Sequence, residues 1–466
     1  MIARRFAPQL RRMEGDEVRA SGKVGARIGA APLGHLDEAQ EPCDPAFDLW
    51  TDPPGPDFTD DSAQAPPRGS PGFRKPALPR RNLPQHAAPS GSAPSDDGEP
   101  AGVSFDLSAS LRPDAARRRG RGATINPEPR FESLAAAEVD DGWGSLGEMP
   151  PFTTEVTVEK ARSIITRNDS PDLGFDRSVN PYRGCEHGCV YCFARPSHAY
   201  LGLSPGLDFE SKLTVKPDAP ALLEKELKAA GYQPKMIAIG TNTDAYQPLE
   251  KKMRMMRGLL EVLSRFEHPV GIVTKSALVQ RDIDLLAPMA AKGLAKVAIS
   301  LTTLHGKLAR TMEPRAASPV KRLETIRRLS EAGIPVTVLV APIIPAVNDA
   351  EIERILDAAY ANGAREAGYV LLRLPHEVKD LVRDWLLTHY PDKLRHVMSL
   401  VQSTRGGKDY DAAFGQRQVG SGPYAWMIGR RFELAAERLG FNKGRSRLRT
   451  DLFHRLATGP AQLSLL

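Results

Sequence analysis

This sequence predicts an α/β fold, a partial (β/α)6 TIM-like barrel, and three observations carry that expectation. Apolar, β-branched runs recur through residues 175–375, amphipathic stretches of helical period separate them, and no Gly-x-Gly-x-x-Gly follows any run. Strands alternating with helices make βαβ units and a parallel sheet buried on both faces. Without a dinucleotide fingerprint, a barrel is favoured over a doubly wound sheet.

The runs, in order, are Met236–Gly240, Val270–Thr274, Lys296–Leu301, Pro335–Val340 and Gly368–Leu372. With a first strand near the cysteines they give about six β/α units. Apolar spacing of i, i+3 and i+4 predicts helices over 219–231, 249–266, 282–293, 318–334 and 349–363. Gly231, Gly293, Gly333 and Gly363 close four of them, as a left-handed C′ position favours. Function in such a barrel collects at the C-terminal strand ends. Topology alone therefore nominates Thr241–Gln247, Thr274–Ser276, Ser300–Thr303, Ala341–Pro345 and Arg373–His376.

The flanks read differently. Half of the forty prolines fall in residues 1–150. Residues 1–110 lack apolar periodicity and are expected to be disordered, because they cannot bury enough surface to offset the entropy of ordering. Residues 111–150 are expected to be an extended arm that docks on the folded part, with Phe131 and Trp143 as its apolar contacts. Its basic run Arg117–Arg121 reads as solvated tail charge. Residues 151–400 form the barrel core, and 401–466 a Gly-rich loop with a helical cap that ends in a basic stretch.

Composition narrows the class. The net charge of +6, from 63 basic and 57 acidic residues in 466, permits an anionic partner without arguing for one. Four cysteines exclude a disulfide framework and favour a reducing, cytoplasmic setting. The N-terminal arginines precede no apolar h-region, so no secretory signal is expected. The most apolar run, Val336–Val347, is too short to span a bilayer and holds two prolines.

Three cysteines, Cys185, Cys189 and Cys192, stand in C-x3-C-x2-C within GCEHGCVYC. Thiolates at this spacing converge only if the backbone curls, and Gly184 and Gly188 supply that freedom. A structural zinc site wants four ligands, so either His187 or His198 would have to complete a Cys3His set. A redox dithiol would leave the third cysteine idle. A [4Fe–4S] cluster on three thiolates leaves one iron open to a substrate or cofactor.

The stretch NPYRGCEHGCVYC (180–192), with aromatic Tyr191 just before the third cysteine, followed by IGTNTDAYQPLEK (239–251), resembles the radical S-adenosylmethionine superfamily, in its spore photoproduct lyase-related branch. The resemblance spans about residues 150–400. It implies a radical SAM enzyme whose [4Fe–4S] cluster sits on Cys185, Cys189 and Cys192. The methionine amino and carboxylate groups of S-adenosyl-L-methionine would chelate the open iron. One-electron cleavage of the sulfonium would give a 5′-deoxyadenosyl radical that abstracts hydrogen from a substrate. An electron donor of flavodoxin or ferredoxin type is implied as partner. A nucleic-acid substrate is allowed, although no base-reading signature is seen.

The same resemblance places Tyr191 beside the adenine and Thr241, Asn242, Thr243 and Asp244 near the methionine amino group. Lys275 and Arg315 would meet the carboxylate, and Ser300 the ribose or carboxylate. Helix capping is the alternative for the 241–244 group, and a Glu313–Arg315 ion pair for Arg315. Tyr246, Gln247, Arg373 and His376 are further candidates at the mouth. Spore photoproduct lyase uses a downstream cysteine as hydrogen donor, and this chain has none after Cys192. Its substrate is therefore not carried over. The rival expectation is a non-catalytic Cys3His zinc or Fe–S module that binds nucleic acid.

Overall fold

A strand covered on both faces has no solvent side for polar residues to mark, which is why the strands read as unbroken apolar runs. The computed structural model describes residues 118–131 and 151–456. Among them the strands are β1 (Glu155–Val158), β2 (Ile165–Arg167), β3 (Arg177–Val179), β4 (Tyr182–Arg183), β5 (Lys212–Val215), β6 (Ile237–Ile239), β7 (Val270–Thr274), β8 (Ala295–Ser300), β9 (Val336–Ile343) and β10 (Glu366–Leu371). Six of them, β3-β6-β7-β8-β9-β10, pair in parallel in that order, and β2 lies antiparallel on β3. This is the expected six-unit partial barrel. A small second sheet, β1-β5-β4, leads the chain from β4 into the cysteine loop.

Helices Ala219–Lys228, Met255–Arg265, Ile283–Ala291, Pro319–Glu331 and Ile352–Ala361 follow strands in turn. Met255–Arg265 buries Met256, Leu259, Leu260 and Leu263, a stripe at i, i+3, i+4 and i+7. The single helix expected over 249–266 is broken at Arg254, which is left-handed at φ 55°. Glu250 explains the break: its carboxylate accepts from Met255 N (2.8 Å) and Met256 N (3.1 Å), capping a new helix start. Gly293, Gly333 and Gly363 do adopt positive φ, but Gly231 does not, because its helix stops at Lys228 and turns out at Ala229.

Alternate residues of the strands face inward in layers. Lys296, Thr337 and Glu366 form a polar base. Val273, Ala298, Leu339, Ala341 and Val370 form a small apolar cluster above it, and Ser300 reaches the mouth. Their outward neighbours, such as Val297, Ile299, Val338 and Val340, join the large core under the helices.

The C-terminal part closes the gap between the first and last strands. Leu371 N donates to Gln418 O (2.8 Å), and Arg405 donates to the carbonyls of Leu372 (3.0 Å) and Gln416 (2.8 Å). On the other side Gly415 N donates to Asp172 (2.7 Å), and Arg417 pairs with the same carboxylate (2.8 Å). The helix Gly422–Leu439 packs on Ile352–Ala361 and β10, thickening the outer layer. Among the described residues, no helix is long and apolar enough to cross a membrane. The expectations for residues 1–110 and Trp143 fall outside the described residues.

Candidate functional site

The chain leaves β4 and curls through two left-handed glycines, Gly184 (φ 73°) and Gly188 (φ 67°). No side chain fits at either. A Cβ on Gly184 would lie 2.6 Å from Leu213 Cδ2 and 2.9 Å from Phe209 O, and one on Gly188 would lie 2.7 Å from Glu210 Oε2. The curl brings Cys185, Cys189 and Cys192 to one cavity; the first two are buried and the third partly exposed. Fixed partners hold the loop. Cys185 N donates to Phe209 O (3.0 Å), and Arg195 Nε to Cys189 O (2.9 Å). Gln247 Oε1 accepts from Glu186 N (2.8 Å), while its Nε2 donates to Gly184 O (3.2 Å).

The cavity, about 120 Å3 in volume, opens at the C-terminal ends of the parallel strands. Thr241, Asn242, Asp244, Lys275 and Ser300 line it together with the three cysteines and Tyr191, and so does Arg373.

Charge is distributed unevenly around this cavity. Asp244 is occupied by its own chain: its carboxylate accepts from Tyr246 N (2.9 Å), Thr274 Oγ1 (2.8 Å) and Lys275 N (2.8 Å), and His187 Nδ1 stands 3.2 Å away. Burial pushes its pKa up, but His187 and these donors outweigh that and hold it at about 2. Lys275 has no acidic side chain within ion-pair distance among the described residues, and its Nζ lies 5.9 Å from the Tyr191 ring centroid. Desolvation pulls its pKa down; the fields of Cys189, Glu313 and Asp244 more than offset this and keep it raised.

Behind the cavity wall, Glu313 accepts from Tyr191 Oη and Thr302 Oγ1 (2.6 Å) and pairs with the buried Arg322. Burial raises its pKa, while Arg322 and Lys275 bring it down to about 2. Burial also pushes the Cys189 thiol up to about 12 and Cys185 well above its ordinary value. Two buried thiols that resist ionisation alone suit a centre whose positive iron takes up the thiolate charge.

Three thiols on one cavity are a donor set that a four-iron cluster could use. A four-iron cluster gives each thiolate its own iron. Of the two histidines weighed for zinc, His187 lines the cavity but is turned to Asp244, while His198 Nε2 contacts Lys212 O (3.0 Å) and its ring packs on Phe209.

Two expected cofactor residues lie outside the cavity. Thr243 is buried and donates to Tyr182 O (3.1 Å). Arg315 does not pair with Glu313; it reaches Glu186 (3.1 Å) and its N–H donates to His187 O (3.3 Å), bracing the cysteine loop from outside. Of the further mouth candidates, Tyr246 bonds Asp282 (3.0 Å), Gln247 holds the loop and His376 is exposed. The basic run also departs from expectation at Arg121, which is not solvated tail charge: it donates to Glu210 O (2.6 Å) and Phe152 O (2.9 Å). Sequence reasoning missed Glu210, Arg195 and Arg322. Each lies in a helical stretch with no spacing signal that sets it apart.

Residues 179–359 match the family model described as the Radical SAM superfamily. An uncharacterized protein of Mycobacterium tuberculosis is 36% identical over 222 residues, 47% of this chain and 65% of that one, so the chain spans less than two thirds of this relative. An uncharacterized protein of Methanocaldococcus jannaschii is 30% identical over 198 residues, 42% of this chain and 71% of that one. Among solved structures, spore photoproduct lyase complexed with dinucleoside spore photoproduct aligns at 16% identity and a TM-score of 0.46, covering 61% of this chain and 80% of that chain. The family match falls on the cysteine loop and the first four parallel strands after it, where the cavity lies, and the chain belongs to the radical SAM superfamily.

Proposed function

We propose that this chain is a radical SAM enzyme that binds a [4Fe–4S] cluster on Cys185, Cys189 and Cys192 and S-adenosyl-L-methionine across the barrel mouth, and that it abstracts hydrogen from a substrate. The observation that carries the reading is a set of three thiols, with no fourth cysteine among the described residues, lining a cavity that also presents Lys275, which has no acidic partner among those residues. When bound, the cluster supplies one electron to the cofactor's sulfonium, delivered by a donor of flavodoxin or ferredoxin type. The chain's own residues do the rest. Lys275 meets the cofactor carboxylate as a charge-assisted donor. Asp244, engaged on all sides, orients the 241–244 turn and the start of the segment after β7. Asn242, Thr241 and Ser300 supply neutral polar groups, and Tyr191, fixed through Glu313, forms a rigid wall. The apolar layer of Val273, Leu339 and Val370 keeps water from beneath the reacting atoms. The setting proposed is cytoplasmic.

Anaerobic reconstitution tests this. About one tetranuclear cluster per chain and dithionite-dependent release of 5′-deoxyadenosine are expected. Stoichiometric zinc without cofactor cleavage would instead support the Cys3His binding module. Cys192→Ala is expected to abolish cluster binding, and a full cluster in that variant would break the ligand assignment.

A further inference from the structure

A second segment, far from the cysteines in sequence, closes on their loop. Residues 121–126 precede the family-matched region by more than fifty positions. Their backbone runs against the loop so closely that a Cβ on Gly122 would sit 1.7 Å from Gly188 O, at the apex between Cys185 and Cys189. Gly122 N and Ala123 N both donate to the Glu210 carboxylate, at 2.8 Å each. Glu210 is fully buried and pairs at 2.5 Å with the equally buried Arg195. Arg195 in turn donates through Nε to Cys189 O (2.9 Å) and through Nη1 to Pro205 O (3.0 Å) and Gly206 O (2.7 Å). The short helix that carries Glu210, Asp208–Ser211, also presents Phe209 O to Cys185 N. That helix is fixed from its other side, since Asn126 Oδ1 accepts from Leu207 N (2.7 Å).

We propose that residues 121–126 are a strap belonging to the cluster site, and that Glu210 is a positioning residue that transmits the strap's grip to Cys185 and Cys189. The inference rests on the reading that these cysteines hold a cluster. Its physical content is local. One four-residue helix holds the backbones of two ligands, and the strap satisfies that helix's buried carboxylate. A loop with two left-handed glycines is intrinsically loose, so its shape must come from such contacts. Without the strap, Glu210 keeps Arg195 but loses two amide donors, and the loop apex loses the backbone packed on it.

The test uses the full chain, reconstituted anaerobically, with Gly122→Ala, Glu210→Gln and Asn126→Ala. Alanine at 122 adds a methyl where Gly188 O already lies. Glutamine at 210 sets an NH2 donor against an amide or guanidinium donor in either orientation. Asn126→Ala removes one acceptor at a partly exposed position and is the mildest of the three. Iron release to an added chelator is expected about tenfold faster for the first two, as loss of a charge-assisted hydrogen bond implies, and less for the third. The reduced cluster's electron paramagnetic resonance spectrum is expected to change in the same order. The urea midpoint of the cluster-free Asn126→Ala chain should stay near wild type, which a purely fold-stabilising strap would not allow. Wild-type release rates and spectra in all three variants overturn the strap. A wild-type chain that takes up no four-iron cluster overturns the functional reading as well, so the two failures are distinguishable.

Discussion

The base and the mouth of the barrel are built from the same strands, yet they treat charge in opposite ways. On β8, Lys296 lies at the base and Ser300 at the mouth; β7 begins next to His268 and ends next to Lys275. Every ionisable group at the base has a chain partner. Lys296 pairs with Glu366 (3.3 Å), which also accepts from Thr337 Oγ1 (3.1 Å) and Ser446 N (2.9 Å). His268 lies between Tyr232 Oη (2.7 Å) and Pro269 O (3.0 Å). At the mouth, Lys275 has no acidic partner among the described residues, although Asp244 and Glu313 lie close enough to raise its pKa. Both acids are saturated by other donors. A half-buried charge without an acidic partner costs more to keep than a paired one, and the proposed cofactor carboxylate would be the partner for Lys275.

The largest effect that can break this contrast is at the base. Lys296→Met removes the cation beside Glu366 and is expected to lower unfolding free energy by about 3–5 kcal/mol, measured by urea denaturation. Cofactor affinity should be unchanged. Stability equal to wild type would show that the base is no more tightly paired than the mouth.

The second concerns pH. Burial holds the His268 pKa at about 4, against 6.5 for an ordinary histidine. The unfolded chain therefore binds the extra proton first, between pH 6.5 and 4. The stability this provides is fully present above 6.5 and is lost as pH falls toward 4, with a full span of about 3 kcal/mol. Urea midpoints from pH 7 to 4 should fall more steeply for wild type than for His268→Gln; parallel slopes would remove His268 from the account.

The smallest effect is at the mouth. Lys275→Met should weaken S-adenosyl-L-methionine binding about tenfold, by equilibrium dialysis, while leaving unfolding free energy unchanged or slightly raised. If stability drops and affinity does not, Lys275 is a structural cation like Lys296, and the contrast between the two ends fails.

What was legible in the sequence follows the range of the interaction. The six-unit barrel could be read because buried parallel strands and amphipathic helices are written locally, as in VGIVT and in the stripe from Met256 to Leu263. The three cysteines could be read because their spacing is itself the chemistry. Arg254 could not: its break depends on Glu250 turning back to cap Met255 and Met256. Arg315 was expected at the cofactor from the family resemblance, but its partner Glu186 lies 129 positions earlier (315 − 186), out of reach of any local pattern. Glu210 and Gly122 stand 88 residues apart, and no pattern in either stretch signals that they meet.

The closure beside β10 has a mechanical consequence. Elsewhere, widening the barrel would break a ladder of strand-to-strand bonds all at once. Between β10 and the segment at Asp172 the wall is instead held by one strand amide, Leu371 N, on Gln418 O, and by separate side-chain fastenings through Arg405 and Arg417. Such fastenings release one at a time. Next to Arg373 the wall is therefore joined by separable bonds, whereas the five strand ladders that position the cavity are joined cooperatively.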